Sequence, residues 1–248
     1  MIAFNFFYKI LIFPVYYFFH YNILFGLIFK TFIKNFKYKH FRFELKNCSF
    51  PLPFYSSFIF NTYELNDRIL VERNLTKKNK CVIIGGGIGF IAALTYWLTK
   101  NKVLIFEINK KILKNLRKNL FNNKTIFKLY SYNLLLNKID KKKYFYLNKN
   151  FLATSLYRKT KNKLIFKNIF YKKISELKNY NTLIIDGEGV EKHYIQNINK
   201  LKKIKYMFFE FHNDIFNETK KSELFKILKK NGFILQDKFI NSYYFIRK

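Results

Sequence analysis

The sequence predicts an α/β fold, a doubly wound sheet of seven strands closed by an antiparallel C-terminal hairpin and preceded by an aromatic-rich helical extension. Three observations predict it. The run Val82-Ile83-Ile84-Gly85-Gly86-Gly87-Ile88-Gly89-Phe90 is an apolar strand breaking into a glycine turn, with a helical stretch and the strand Val103-Leu104-Ile105-Phe106-Glu107 behind it. Further apolar strands, Thr182 to Asp186 and Tyr206 to Glu210, read as buried on both faces, as parallel strands are. The chain closes with two short alternating segments, Phe233 to Leu235 and Tyr243 to Ile246, beyond a helix that stops at Asn231-Gly232.

Taken in order, Phe41, Phe43 and Leu45 alternate as a strand, and Phe58 to Phe60 suggest another. A helix over about 64–75 carries Leu65, Ile69, Leu70 and Leu75 on one side. Strand Cys81 to Ile84, helix Ile88 to Thr99 and strand Val103 to Glu107 follow. A helix from Asn109 to Asn119 turns Ile112, Leu113 and Leu116 inward, and Thr125 to Tyr130 is the next strand. Alternation at Tyr144-Phe145-Tyr146-Leu147 and Lys163-Leu164-Ile165-Phe166 predicts hairpins in the middle. Helix Thr219 to Lys230 leads into the closing pair. Strands alternating with helices make one doubly wound sheet the economical architecture.

The net charge of +32 resembles a nucleic-acid footprint, but its make-up points elsewhere. There are 41 Lys to 6 Arg, with 28 Asn, 32 Phe and 19 Tyr against 4 Ala and 3 Pro. The enriched residues have AT-rich codons, so we read the charge mainly as the mark of an AT-rich genome. Scarcity of Arg removes the side chain that supplies bidentate phosphate and guanine contacts, and nucleic acid is not the expected partner. Against this background the fifteen acids are informative, above all Asp186, Glu188 and Glu191 within six residues. Cys48 and Cys81 offer neither metal-ligand spacing nor a disulfide framework, so no metal site is expected and a reducing, cytoplasmic setting fits.

Residues 1–50 read as an extension before a domain of 51–248, with Pro51 and Pro53 at the break. From Ile10 to Phe29 there is no charge, and then Phe29, Phe32, Ile33 and Phe36 recur at helical spacing among Lys30, Lys34 and Lys37. Three readings stay open: a helical subdomain packed on the core, peripheral contact of residues 10–42 with the inner face of a membrane, and a true span. No small-residue cleavage site of a secretory signal is present.

The glycine turn is where backbone approaches a nucleoside-bearing ligand, and Glu107, twenty residues past Gly87, stands where an acid accepts hydrogen bonds from a ribose diol. A dinucleotide fold wants G-x-G-x-x-G, and Phe90 occupies the third glycine's place when the pattern starts at Gly85. A frame starting at Gly87 ends at Ala92 and fits the pattern late after the strand. The closing hairpin favours S-adenosyl-L-methionine, with a flavin or nicotinamide oxidoreductase as an alternative and an RNA methyltransferase using the basic surface as another.

The segments Asn61 to Glu64, Ile69 to Glu72, Val82 to Phe90 and Phe106 to Asn109 resemble the FkbM family of S-adenosylmethionine-dependent methyltransferases. So do Ile184-Ile185-Asp186-Gly187-Glu188-Gly189-Val190-Glu191, similar to the family's D-x-E-G-x-E signature, and Phe208 to His212, similar to its final acidic strand. The resemblance spans residues 61–246 and departs at Gly187, where the family often has a bulky apolar residue. It implies a Rossmann-like methyltransferase sheet that O-methylates a hydroxyl, often on a sugar, glycan or polyketide. On this reading Gly85, Gly86, Gly87 and Gly89 pass beneath the methyl donor, Glu107 takes its ribose, Ile108 lies against adenine or simply packs in the core, and Asn133 meets the adenine edge. Asp186 is the first choice of general base, with Glu188, Glu210 and His212 the other catalytic candidates. Tyr63 and Glu64 would cap the acceptor pocket, though an ordinary helix start explains Glu64 nearly as well. Glu191 begins a helix, where its charge meets the dipole favourably.

Overall fold

A computed structural model describes residues 23–32, 35–45, 50–131, 144–146, 163–165 and 177–248. The elements are α1 (Ile23–Phe32), β1 (Asn35–Tyr38), β2 (Phe41–Glu44), α2 (Ser56–Ile59), α3 (Leu65–Asn74), β3 (Cys81–Ile84), α4 (Phe90–Thr99), β4 (Val103–Phe106), α5 (Leu113–Asn122) and β5 (Phe127–Tyr130). They continue with β6 (Tyr144–Tyr146), β7 (Lys163–Ile165), β8 (Thr182–Ile185), α6 (Glu191–Gln196), β9 (Tyr206–Glu210), α7 (Glu218–Lys230), β10 (Phe233–Phe239) and β11 (Ser242–Arg247).

The main sheet has seven strands in the order β10-β11-β9-β8-β3-β4-β5. β9, β8, β3, β4 and β5 run parallel, and β11 returns antiparallel between β9 and β10. The expected doubly wound sheet with its antiparallel closure is therefore present. The chain builds outward from β3 through β4 to β5, then crosses back to β8, so the carboxyl ends of β3 and β8 meet at a topological switch point. Side chains of the central strands alternate between two cores. Ile83, Ile105, Ile184 and Phe208 enter the face covered by α3, α4 and α5. Val82, Leu104, Leu183 and Met207 enter the face covered by α6 and α7. Both faces being covered explains why these strands read as unbroken apolar runs.

The β6–β7 ribbon is an antiparallel pair, as the alternation in the middle of the chain predicts. Several boundaries differ from the sequence reading. Phe58 lies in α2, not a strand: a turn from Leu52 to Tyr55 leads into a short helix that buries Phe58 against Phe36, Phe50 and Tyr63. The helical spacing of Phe29, Phe32 and Phe36 fails because α1 ends at Phe32 and Phe36 belongs to β1, paired with Phe43. Helix α5 starts at Leu113 and not at Asn109, since the Asn109 side chain accepts from Lys111 N and Glu107 accepts from Asn109 N, holding a turn there. β10 runs on to Phe239, four residues past the expected end. The extension is thus a helix plus a two-stranded ribbon over its described residues. Positions 10–22, Cys48 and Asn133 lie outside the described residues.

The ribbon docks on the main sheet through Phe90. That ring, fully buried, sits edge-on to Phe36 at 5.4 Å, Tyr38 at 5.3 Å and Phe43 at 5.3 Å. Asn119 on α5 completes the attachment: it accepts from Glu44 N (2.7 Å) and donates to Glu44 O (3.2 Å) and Ile88 O (2.9 Å). Its side chain is fully buried, so these bonds satisfy groups that water cannot reach. Asn119→Ala should therefore lower the unfolding free energy by about 2–4 kcal/mol, several times a surface change, as measured by urea unfolding. A loss below about 0.5 kcal/mol would show that the ribbon is held by its rings alone.

Candidate functional site

The glycine loop Gly85–Gly89 joins β3 to α4 at the switch point. Gly85 N donates to Phe106 O at 2.9 Å and Asp186 N to Ile84 O at 3.0 Å, so the loop is tied to the strands on both sides. Gly85 adopts φ +89°, and a Cβ there would overlap the Asp186 carbonyl oxygen. A Cβ at Gly86 would press on Ile105 and Leu116 at 2.9 Å. These two glycines are demanded by packing. Gly87, at φ +50°, faces the other way: a Cβ there would stand 3.2 Å from Glu64 Oε1 and 3.3 Å from Tyr63 Oη. Bare backbone at Gly87 keeps that space open toward Tyr63 and Glu64.

Glu107, just past β4, is 6% exposed and fastens this loop. Its Oε2 accepts from Gly86 N (2.9 Å) and Gly87 N (3.2 Å), and its Oε1 from Asn109 N (2.6 Å). Burial raises its pKa, and these N–H donors oppose the rise. Ile108, partly buried, packs against the α6/α7 core. At the third-glycine position Phe90 opens α4 within the ring cluster of the ribbon.

Opposite the loop, the ends of β8 and β9 bring Asp186, Glu188, Glu210 and His212 together. His212 Nε2 lies 3.3 Å from Asp186 Oδ1 and 3.5 Å from Glu188 Oε2. Burial works against the imidazolium, but Asp186, Glu188 and Glu210 outweigh it and raise the His212 pKa to about 11. With its proton held that firmly, His212 is the donor in its contact with Asp186. One ligating atom from each of Asp186, Glu210 and His212 falls within 4.8 Å of the others, a spacing that could hold a metal ion. The sequence does not signal that spacing, because Asp186 follows β8 whereas Glu210 and His212 lie at the end of β9.

Helix α3 adds a third wall. Glu64 precedes it in a left-handed conformation, φ 47°, and burial pushes its pKa up to about 8, with Asp186 and Glu210 adding to the rise. Asn66 Nδ2 donates to Glu210 Oε1 at 3.1 Å. Asp67 is buried and accepts from Ser242 Oγ at 2.6 Å; burial, then Glu210 and Asp186, raise its pKa well above the ordinary 3.8. Sequence reasoning missed Asn66 and Asp67. The signal available was Asp67 itself, one of only fifteen acids, on the helix that carries Glu64.

Glu191 opens α6 as expected, but its carboxylate turns back on the preceding loop and accepts from Gly187 N (2.9 Å) and Gly189 N (2.7 Å). A Cβ at Gly187 would overlap Val190 Cγ2, so with Val190 in place the bulkier residue of the FkbM pattern has no room here. Glu188, between the two glycines, is left-handed at φ 54°.

No protein-family model and no curated protein matches the sequence. Solved structures do align. A methyltransferase from Pyrococcus furiosus aligns at 11% identity over 91% of this chain and 95% of that one, TM-score 0.47. Aeropyrum pernix fibrillarin with natively bound S-adenosyl-L-methionine aligns at 10% identity over 74% of each chain, TM-score 0.47. A ribosomal protein L11 methylase from Lactobacillus delbrueckii subsp. bulgaricus aligns at 14% identity over 73% of this chain and 77% of that one, TM-score 0.45.

The proton held by Glu64 makes a pH test. Its folded value of about 8 exceeds the ordinary 4.5, so the folded state binds more protons than the unfolded chain between those values. Its contribution to stability is full below about pH 4.5 and is lost as pH rises through about 8. Unfolding free energies of the wild type and Glu64→Gln, measured across that range, should therefore converge or cross in favour of the variant as pH rises. A wild-type advantage that grows with pH would place the Glu64 shift in the opposite direction.

Proposed function

We propose that this chain is an S-adenosyl-L-methionine-dependent methyltransferase that O-methylates a hydroxyl of a sugar, glycan or other small metabolite. The observation that carries the reading is the pairing across the switch point: a glycine loop held open by Glu107 on one side, and a carboxylate group backed by an imidazolium on the other. The buried Phe90 at the third-glycine position supports a methyl-donor site over a dinucleotide one. The motifs around Asp186 and Glu210, similar to those of the FkbM family, support a hydroxyl acceptor.

The residues fit such a donor. The open backbone at Gly87 gives the methionine portion a floor, Glu107 stands beside it for the ribose, and the acids at the mouth suit a cationic sulfonium. When bound, the donor supplies an electrophilic methyl group on positively charged sulfur. The protein's task is then to align the acceptor oxygen with that methyl and to take up its proton. Asp186 is the proposed base: the hydroxyl proton passes to its carboxylate as the O–CH₃ bond forms and the carbon–sulfur electron pair returns to sulfur. His212, donating to Asp186 Oδ1, fixes the orientation of that carboxylate. Tyr63 and Glu64 would border the acceptor, and excluding water keeps Asp186 trained on it.

Calorimetry with S-adenosyl-L-methionine and with NADH tests the class, and binding of NADH alone would overturn it. Glu107→Ala should weaken S-adenosyl-L-methionine binding by about tenfold or more, since it removes both the ribose acceptor and the anchor of the loop. Asp186→Asn should bind the donor within about threefold of wild type yet lose at least about a hundredfold in turnover in a screen of hydroxyl acceptors. An Asp186→Asn enzyme of full activity would move the base to Glu188 or Glu210.

A further inference from the structure

Among the described residues, helix α1 packs against the domain through one side. Phe25 meets Phe60 edge-on at 5.3 Å, and Phe29, 2% exposed, packs between Tyr55 and Phe58. The other side presents Ile23, Leu24, Leu27, Ile28 and Phe32, which are 40% to 79% exposed. At about 100° per residue these five positions and Thr31 sweep about half of the helix circumference. Thr31 adds no polarity to that face, because its hydroxyl donates to Leu27 O at 2.8 Å within the helix. The outward half of α1 is thus a continuous apolar surface, of a kind that marks an interaction site when exposed on a folded domain.

The flanking charge selects the occupant. Lys30 edges the apolar face, Lys37 follows on β1 with its side chain exposed, and the molecule carries a net charge of +32. An apolar half-cylinder edged by Lys30 on a strongly basic chain complements an anionic lipid surface, where side chains enter the acyl boundary and ammonium groups reach the headgroups. A second copy of the chain would bring the same lysines face to face. Among the described residues no helix is long and apolar enough to cross the roughly 30 Å hydrocarbon core.

We infer that α1 lies in the plane of an anionic bilayer and attaches the protein to it through Ile23, Leu24, Leu27, Ile28 and Phe32. The inference stands on the helix alone and is independent of the reaction assigned above.

The test is co-sedimentation of the full chain with vesicles of phosphatidylcholine alone and of phosphatidylcholine with phosphatidylglycerol. We expect binding to the anionic vesicles, weakened but not abolished by salt, and little binding to the neutral ones. The double variant Leu27→Gln/Phe32→Gln, which adds no charge at two exposed positions, should bind at least about tenfold more weakly at equal fold content by circular dichroism. Binding undiminished in that variant would assign the attraction to lysines alone and overturn the role of α1. Absence of vesicle binding by the wild type overturns it as well, and a dimer by light scattering that dissociates in the variant would give the face to a second copy.

Discussion

The carboxylate of Glu107 is the contact on which the site's shape depends. Gly85, Gly86 and Gly87 follow β3 without side chains to fix them, and a glycine run has more conformational freedom to lose than any other. Two of its backbone N–H groups, at Gly86 and Gly87, converge on Glu107, which Asn109 N holds from the other side, and that freedom becomes a single loop path. Such charge-assisted bonds are about twice as strong as neutral ones, and here they lie in a buried place. Gly85 then abuts the Asp186 carbonyl, so the position of the loop and that of the proposed base are set by one another.

The same logic extends across the switch point. Six of the fifteen acids, Glu64, Asp67, Asp186, Glu188, Glu191 and Glu210, gather around the ends of β3, β8 and β9 in a chain otherwise dominated by lysine. Gathered carboxylates raise one another's proton affinity, and after burial this contributes to the raised pKa of Glu64, Asp67 and Glu210. The chain relieves this locally: Ser242 donates to Asp67, Asn66 to Glu210, two loop N–H groups to Glu191, and the His212 imidazolium faces Asp186 and Glu188.

How far the sequence could be read follows from which forces act locally. β3, β4, β8 and β9 were legible because burial on both faces leaves an unbroken apolar signature, and the loop because glycine at positive φ is a local demand. Phe58 was misread because aromatic residues are so abundant here that spacing of rings no longer separates strand from helix. The start of α5 was hidden since the turn at Asn109 depends on Glu107, a contact made only once β4 is in place. Helix α3 shows the limit most clearly. Its buried positions include Asp67 and Arg68, whose partners are Ser242, the Asn61 carbonyl and the Tyr38 ring, so its inward face carries charge that a hydrophobic pattern assigns to solvent. Asn66 and Asp67 entered the site by that route, through contacts 144 and 175 residues away in the chain.

Phe90 connects the extension to the chemistry. A dinucleotide fold keeps its third glycine small so that helix and strand pack closely. Here the corresponding residue is a large ring, and the ribbon of β1 and β2 supplies the partners that bury it. Tyr63 joins the same ring cluster, 5.8 Å from Phe90 and 4.8 Å from Phe58, while its neighbour Glu64 faces the space above Gly87. Tyr63 and Glu64 are therefore backed by aromatic packing that begins at α1 and passes through Phe29 and Phe58. Each such ring pair adds about 0.5–1.5 kcal/mol beyond its buried area. The residues preceding the sheet thus set the position of Tyr63 and Glu64 facing Gly87.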